Sequence, residues 1–227
     1  MQIQLIALRE YVIRHCGAES NREGIEKKEI AMLRCASVYT YEIDDPEIAL
    51  EDIKTQLGKK IELLGQTVGI IMCHPEFIAS GVVRYLSENL PFILAGATSS
   101  AQAVNDEAGE LILTIFVMTS DDSWFKTGVT GDLVSGLDSP IKSALNATIA
   151  GEQALPKLAI VFPPLILEYA GDAYVSAWEN VLPGVPIFGA IAIEDTMPFD
   201  DCETINGGET YKTALTYVLC FDNPCCN

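Results

Sequence analysis

The stretch Val68-Gly69-Ile70-Ile71-Met72-Cys73-His74-Pro75-Glu76 decides how the rest of the chain is read. Six uncharged, mostly β-branched or bulky residues ending at a proline read as a buried strand. Pro75 and Glu76 then suit a helix start, where a missing N–H costs nothing and an acid faces the positive dipole end. The predicted helix runs from His74-Pro75-Glu76 to about Ser87. Pro91-Phe92-Ile93-Leu94-Ala95-Gly96 reads as a second strand. A polar loop follows, and a long third strand runs from Leu111 to Thr119, ending at Asp121-Asp122.

The same order recurs further along. Leu158-Ala159-Ile160-Val161-Phe162 is a strand followed by Pro163-Pro164, and a helix is predicted around Asp172 to Val181. Pro186-Ile187-Phe188-Gly189 follows, then an acidic loop, then a strand from Tyr211 to Phe221 ending at Asp222. Both segments read strand, Pro, helix, Pro, strand, Gly, polar loop, long strand, Asp. The identities are few, so the common order of any two α/β units stands as the alternative to a repeat.

Around these segments, residues 31–41 read as a strand. Asp44-Asp45-Pro46-Glu47 gives a helix start, with Asp as N-cap and Pro in the first turn, Ile48, Ile53, Leu57, Ile61 and Leu64 spaced along the helix and Gly65 as its C-cap. Trp124 to Leu133 reads as another strand, and Ser139-Pro140 caps a helix with Ile141, Ala144, Leu145 and Ile149 on one face. Helices separating apolar strands imply an α/β fold. Mixed β-sheets covered by helices, built from two pseudo-repeated strand-helix-strand-strand units, are expected. The long strands at 111–119 and 211–221 are expected to run antiparallel to their neighbours. Residues 1–28 read as an N-terminal appendage, helical through Leu5, Leu8, Val12 and Ile13. Residues 29–223 form one domain and 224–227 a tail.

Composition narrows the function classes. The chain has 227 residues, 49% of them apolar, enough for a sizeable core. It has no run of ~20 apolar residues, and no cleavage site follows Met1 to Leu8. The formal net charge is −18. Residues 61–227 carry five Lys and Arg against 21 Asp and Glu, whereas residues 1–60 carry nine against eleven. Nucleic acid and anionic membranes need clustered cations and are poor partners. Seven scattered cysteines without C-x-x-C spacing fit free thiols in a reducing cytoplasm.

Chemistry is sparse. Cys73 and His74 are adjacent, but neighbours on a strand face opposite ways and cannot form a dyad. His74 sits where it can cap the helix. With two histidines in the chain, zinc sites and His-based catalysis lack ligands. Neither a phosphate-binding glycine motif nor a G-x-S-x-G elbow is present. Gly96-Ala97-Thr98-Ser99 lies where a strand ends, either an ordinary polar turn or the lining of a ligand crevice. Glu194-Asp195 with Asp200-Asp201 and Glu203 is a dense acid cluster without EF-hand spacing, read as a solvated loop and not a hard-cation site. Asn206-Gly207-Gly208 reads as a turn into the last strand. No catalytic residue, metal ligand or cofactor is assigned, which favours a binding module over an enzyme.

The ordered stretches resemble the N-terminal domain of the FIST family, intracellular signal-transduction sensor proteins found mainly in bacteria. The matching segments are 37–49, 68–75, 90–98, 159–163 and 184–190, followed by Asn206-Gly207. The resemblance implies a sensory domain over about residues 30–223 that binds a small molecule, with amino acids or similar metabolites the suggested class. The expected ligand-binding residues are His74, Gly96, Ala97, Thr98, Ser99, Gly189 and Asp195. An acidic site there would favour an amino group. The family pattern usually continues into a C-terminal domain, so that domain or a signalling partner is expected for output. Two other readings remain. One is a hydrolase or transferase using Cys73 or Ser99, with His74 or an acid as base. The other is a partner-docking subunit in which the strand Tyr211 to Phe221 pairs edge to edge.

Overall fold

The computed structural model describes residues 33–104 and 107–222. The predicted appendage and tail lie outside the described residues. The first half runs β1 (Arg34–Thr40), α1 (Pro46–Lys60), β2 (Gln66–Cys73), α2 (Glu76–Ala79), α3 (Val82–Asn89) and β3 (Ile93–Thr98). The ribbon β4 (Gln102–Val104) and β5 (Glu107–Gly109) follows, then β6 (Leu113–Ser120). The second half runs β7 (Ser123–Val129), α4 (Asp138–Ile149), β8 (Leu158–Phe162), α5 (Gly171–Val181) and β9 (Ile187–Gly189). The hairpin β10 (Thr204–Asn206) and β11 (Glu209–Tyr211) follows, then β12 (Thr216–Asp222).

The expected duplication is present and reaches further than the sequence predicts. Sheet 1 has the order β1-β6-β2-β3-β10-β11, and sheet 2 the order β7-β12-β8-β9. The first four positions correspond one to one. In each sheet the first two pairings are antiparallel and the third is parallel. The strand–helix pairs β1-α1 and β7-α4 therefore belong to the repeat, although the sequence reading placed them outside it.

Alternation along the strands builds three cores. One face of sheet 1 buries Ile71, Cys73, Leu94 and Ile115 under α1, α2 and α3. The corresponding face of sheet 2 buries Val161, Tyr217 and Leu219 under α4 and α5. The remaining faces meet each other, packing Val68, Ile70, Met72 and Phe116 against Leu158, Ile160, Phe162 and Val218. The result is a helix–sheet–sheet–helix sandwich. Both faces of β2 and β8 are covered, so both strands read as continuous apolar runs.

Several local predictions shift. The helix after Pro75 is two pieces, broken at Gly81, whose φ is +86°. Asp45 does cap α1, its carboxylate accepting from the N–H groups of Glu47 and Ile48. That helix ends at Lys60, not Gly65, because Ile61 turns extended. Gly65 instead donates its N–H to Asp121 Oδ1 at 2.9 Å. Ser139 lies inside α4 rather than capping it, and Leu137 occupies the cap. The strand predicted from Tyr211 to Phe221 is two strands, β11 in sheet 1 and β12 in sheet 2. Since β12 lies between β7 and β8, it offers no edge for pairing, contrary to the docking expectation. Asn206-Gly207-Gly208 is a turn, but it joins β10 to β11, with φ of +60° and +87° at the two glycines.

Candidate functional site

The two halves fix a common anchor point. Ile71 on β2 pairs with Gly96 on β3, and Val161 on β8 pairs with Gly189 on β9. A Cβ on Gly96 would lie 1.7 Å from the Ile71 carbonyl oxygen, and one on Gly189 would lie 1.8 Å from that of Val161. Both glycines are needed because the neighbouring backbone fills the space a side chain would take. Sequence reasoning assigned them to ligand binding; the geometry gives them a packing role.

Beyond these glycines the chain turns in the same way in both halves. Ser99 donates its N–H to the Cys73 carbonyl at 2.8 Å, and Ala192 donates to Pro163 at 2.9 Å. The segment after β9 then crosses to sheet 1, where Ile193 donates its N–H to the Thr98 carbonyl at 3.2 Å. Thr98 also donates its N–H to the Glu203 carbonyl, and its hydroxyl accepts the Glu203 N–H at 3.0 Å. The loop between β9 and β10 is thus stitched across the carboxyl ends of β2 and β3. Both predicted strand-end loops meet there.

His74 and Asp195 are 121 residues apart in sequence and meet at 3.2 Å, His74 Nε2 to Asp195 Oδ1. His74 Nδ1 accepts the Glu76 N–H at 3.3 Å. That bond leaves the hydrogen of neutral His74 on Nε2, directed at the Asp195 carboxylate. His74 therefore caps the helix entry, as the sequence suggests, and also ties down the loop. Its side chain is 11% exposed, that of Asp195 41%. Thr98 and Ser99 are buried. Ala97 is buried too, but it faces the core between the sheets and not the loop.

Three participants are absent from the sequence-derived site. Glu194 is 5% exposed and accepts from Thr196 Oγ1 at 2.7 Å and from the Asp201 N–H at 3.0 Å. The acid run is not simply a solvated loop: Glu194 faces in, Asp195 faces out. Glu203 contributes its backbone to Thr98, and its carboxylate is 16% exposed. Gln102 is buried and donates from Nε2 to the Ser99 carbonyl at 3.0 Å, leaving its Oε1 without a partner. Among the described residues, the cation ion-paired to the acid cluster is Lys212, which reaches Asp201 at 3.4 Å and Glu203 at 4.0 Å.

The thiols are poorly suited to nucleophilic work. Cys73 lies in the core under the sheet 1 helices, away from His74. Burial, with the Glu203 charge second, pushes its thiol well above its ordinary range. Burial, then the Glu194 charge, pushes the Cys202 thiol up to about 11. Reactive cysteines show the opposite shift. No group of three or more His, Cys, Asp or Glu among the described residues is arranged to hold a metal ion. No helix among them is long and apolar enough to cross a membrane. An open depression of about 410 Å³ is lined by Asp138, Ser139, Lys142, Ser143 and Asn146 of α4 and by none of the predicted site residues.

Fold and site together define a duplicated α/β sandwich with acceptor-rich strand ends in one half. A family model described as the FIST N domain matches residues 67–225. The chain belongs to the FIST family, a family of signal-transduction sensor domains. The match begins inside β2, yet β1 and α1 complete the same sheet and core. No curated protein matches the sequence.

Proposed function

We propose that this domain senses a small molecule bearing an amino group, an amino acid or similar metabolite, at the carboxyl ends of β2 and β3. The observation that carries this reading is the excess of acceptors there. Glu194, Asp195, Asp200, Asp201 and Glu203 lie together there, Lys212 is ion-paired to Asp201 and Glu203, and Gln102 Oε1 has no partner. The Glu194 carboxylate, fixed by the Asp201 N–H, and the Asp195 carboxylate, fixed by His74, are preorganised for an ammonium donor. The crevice outside the carboxyl ends of parallel strands is also the usual place for a ligand in α/β sheets. Ligand contact with the loop between β9 and β10 would change its ties to His74 and Thr98, and so couple binding to the join between the two sheets. A C-terminal FIST domain or a signalling partner would receive that change. The unbridged thiols of Cys73 and Cys202 fit a reducing, cytoplasmic setting.

A thermal-shift screen against amino acids, small carboxylates, nucleotides and divalent cations tests the reading. A ligand at ~100 times its Kd adds about 2.7 kcal/mol, a shift of several degrees. Amines are expected to shift the midpoint, and Asp195→Ala and Thr98→Ala to weaken binding while the fold survives. No shift with any amine, or unchanged affinity in both variants, refutes it.

A further inference from the structure

The duplication exposes an unequal edge. In sheet 1, β3 is covered by β10, the hairpin strand contributed by the second half. In sheet 2 the equivalent strand, β9, is an edge strand, as β7 is on the other side, and among the described residues β9 pairs only with β8. The first half's own hairpin, β4–β5, does not fill that position; it is held beside β1 by the bond from the Tyr41 hydroxyl to Glu107 at 2.9 Å. The register identifies the open groups. Pro186 accepts from the Ala159 N–H and Ala190 donates to the Val161 carbonyl, so even-numbered residues of this strand face β8. Ile187 and Gly189 therefore turn their N–H and C=O groups outward. Their counterparts on β3, Leu94 and Gly96, face β10; Leu94 accepts the Gly207 N–H at 2.8 Å. Ile187, Phe188 and Gly189 are all half-buried, whereas Leu94 to Thr98 are buried throughout.

We propose that the β9 edge is a docking site for an extended, cationic polypeptide segment, which adds to sheet 2 as β10 adds to sheet 1. Backbone pairing supplies the geometry, and charge selects the occupant. From Lys142 to Lys212 the chain carries ten Asp and Glu against three Lys, of which Lys212 is ion-paired to Asp201 and Glu203. Of these acids, Asp172 and Glu179 lie exposed on α5, which bridges β8 and β9, and Asp195, Asp200 and Asp201 lie exposed on the loop leaving β9. A second copy of a chain with net charge −18 is repelled by the same field.

The test uses a blocked nonapeptide alternating Lys and Val, its Glu and Val counterpart, and the full chain. Hydrogen exchange of the wild-type protein should slow at least about ten-fold at the Ile187 and Gly189 amides when the Lys peptide is added. Affinity should fall at least about five-fold between 50 and 300 mM salt, because the contacts are solvent-exposed charges. Ile187→Pro removes an outward N–H without touching the β8 ladder, and should weaken binding at least about ten-fold. Equal binding of the Glu peptide, binding without slowed exchange at these two amides, or no binding overturns the proposal. Slowed exchange that tracks protein concentration without peptide also overturns it, since a second copy would then be the occupant.

Discussion

The two halves of the molecule share one scaffold and differ where chemistry matters. Aligned on the Gly96 and Gly189 anchor, His74 corresponds to Pro164, Thr98 to Ile191 and Ser99 to Ala192. One strand end is polar, the other apolar, although both make the same Ser99-to-Cys73 or Ala192-to-Pro163 bond. The backbone turn therefore belongs to the scaffold, and the side chains on it to function. The cores differ as well. Val38 faces Ile115 in sheet 1, whereas Gly128 faces Tyr217 in sheet 2. The Tyr217 ring fills the space over Gly128, lies edge-on to Trp178 at 5.2 Å and shares a 2.6 Å hydrogen bond with Thr148. A large residue opposite a small one replaces two medium ones, so density is kept while the residues change.

The sharpest way to break this comparison is at the anchors. Gly96→Ala and Gly189→Ala should each cost at least about 3 kcal/mol in urea unfolding, since backbone and not a flexible side chain blocks the Cβ. A large loss in one half and a small one in the other would end the equivalence.

Titration comes next. Below pH 9.0 the Cys202 thiol is protonated in both folded and unfolded chains. Above it, the unfolded thiol ionises while the folded one holds its proton until about pH 11. Stability should therefore fall across that window by about 1.4 kcal/mol per pH unit for each such thiol. Cys73 shifts in the same direction and adds to the slope. Cys202→Ser should flatten the stability profile measured between pH 8 and 10.5 in part, and an unchanged slope would remove this account. Alkylation of Cys73 should require denaturant.

Smaller effects separate the polar strand end from its apolar twin. Thr98→Val leaves the Glu203 N–H without its hydroxyl partner and should cost about 1–2 kcal/mol by denaturant midpoint. Ile191→Val, at the apolar counterpart, should cost about 1 kcal/mol or less. His74→Ala removes the Glu76 cap bond and the Asp195 tie, for about 1 kcal/mol of stability. Its clearer readout is faster amide exchange across residues 193–203, and unaltered exchange there would show that the histidine does not hold the loop.

What the sequence determined by itself is local. Uninterrupted apolar runs at 68–73 and 158–162 announced strands buried on both faces, and Asp45-Pro46 announced a helix start. The recurring order of Pro, Gly and strand announced the duplication. Each signal rests on the chemistry of neighbouring residues. Tertiary structure decided the rest. Whether Tyr211 and Thr216 share a strand depends on which sheet each joins, and no local pattern records that. Gly96 and Gly189 look like loop residues until the opposing carbonyl is placed beside them. Glu194 and Asp195 are both acids in the sequence and opposite in burial. His74 and Asp195 become partners only because the loop after β9 crosses between sheets, a contact spanning 121 positions that chain connectivity leaves open and packing closes.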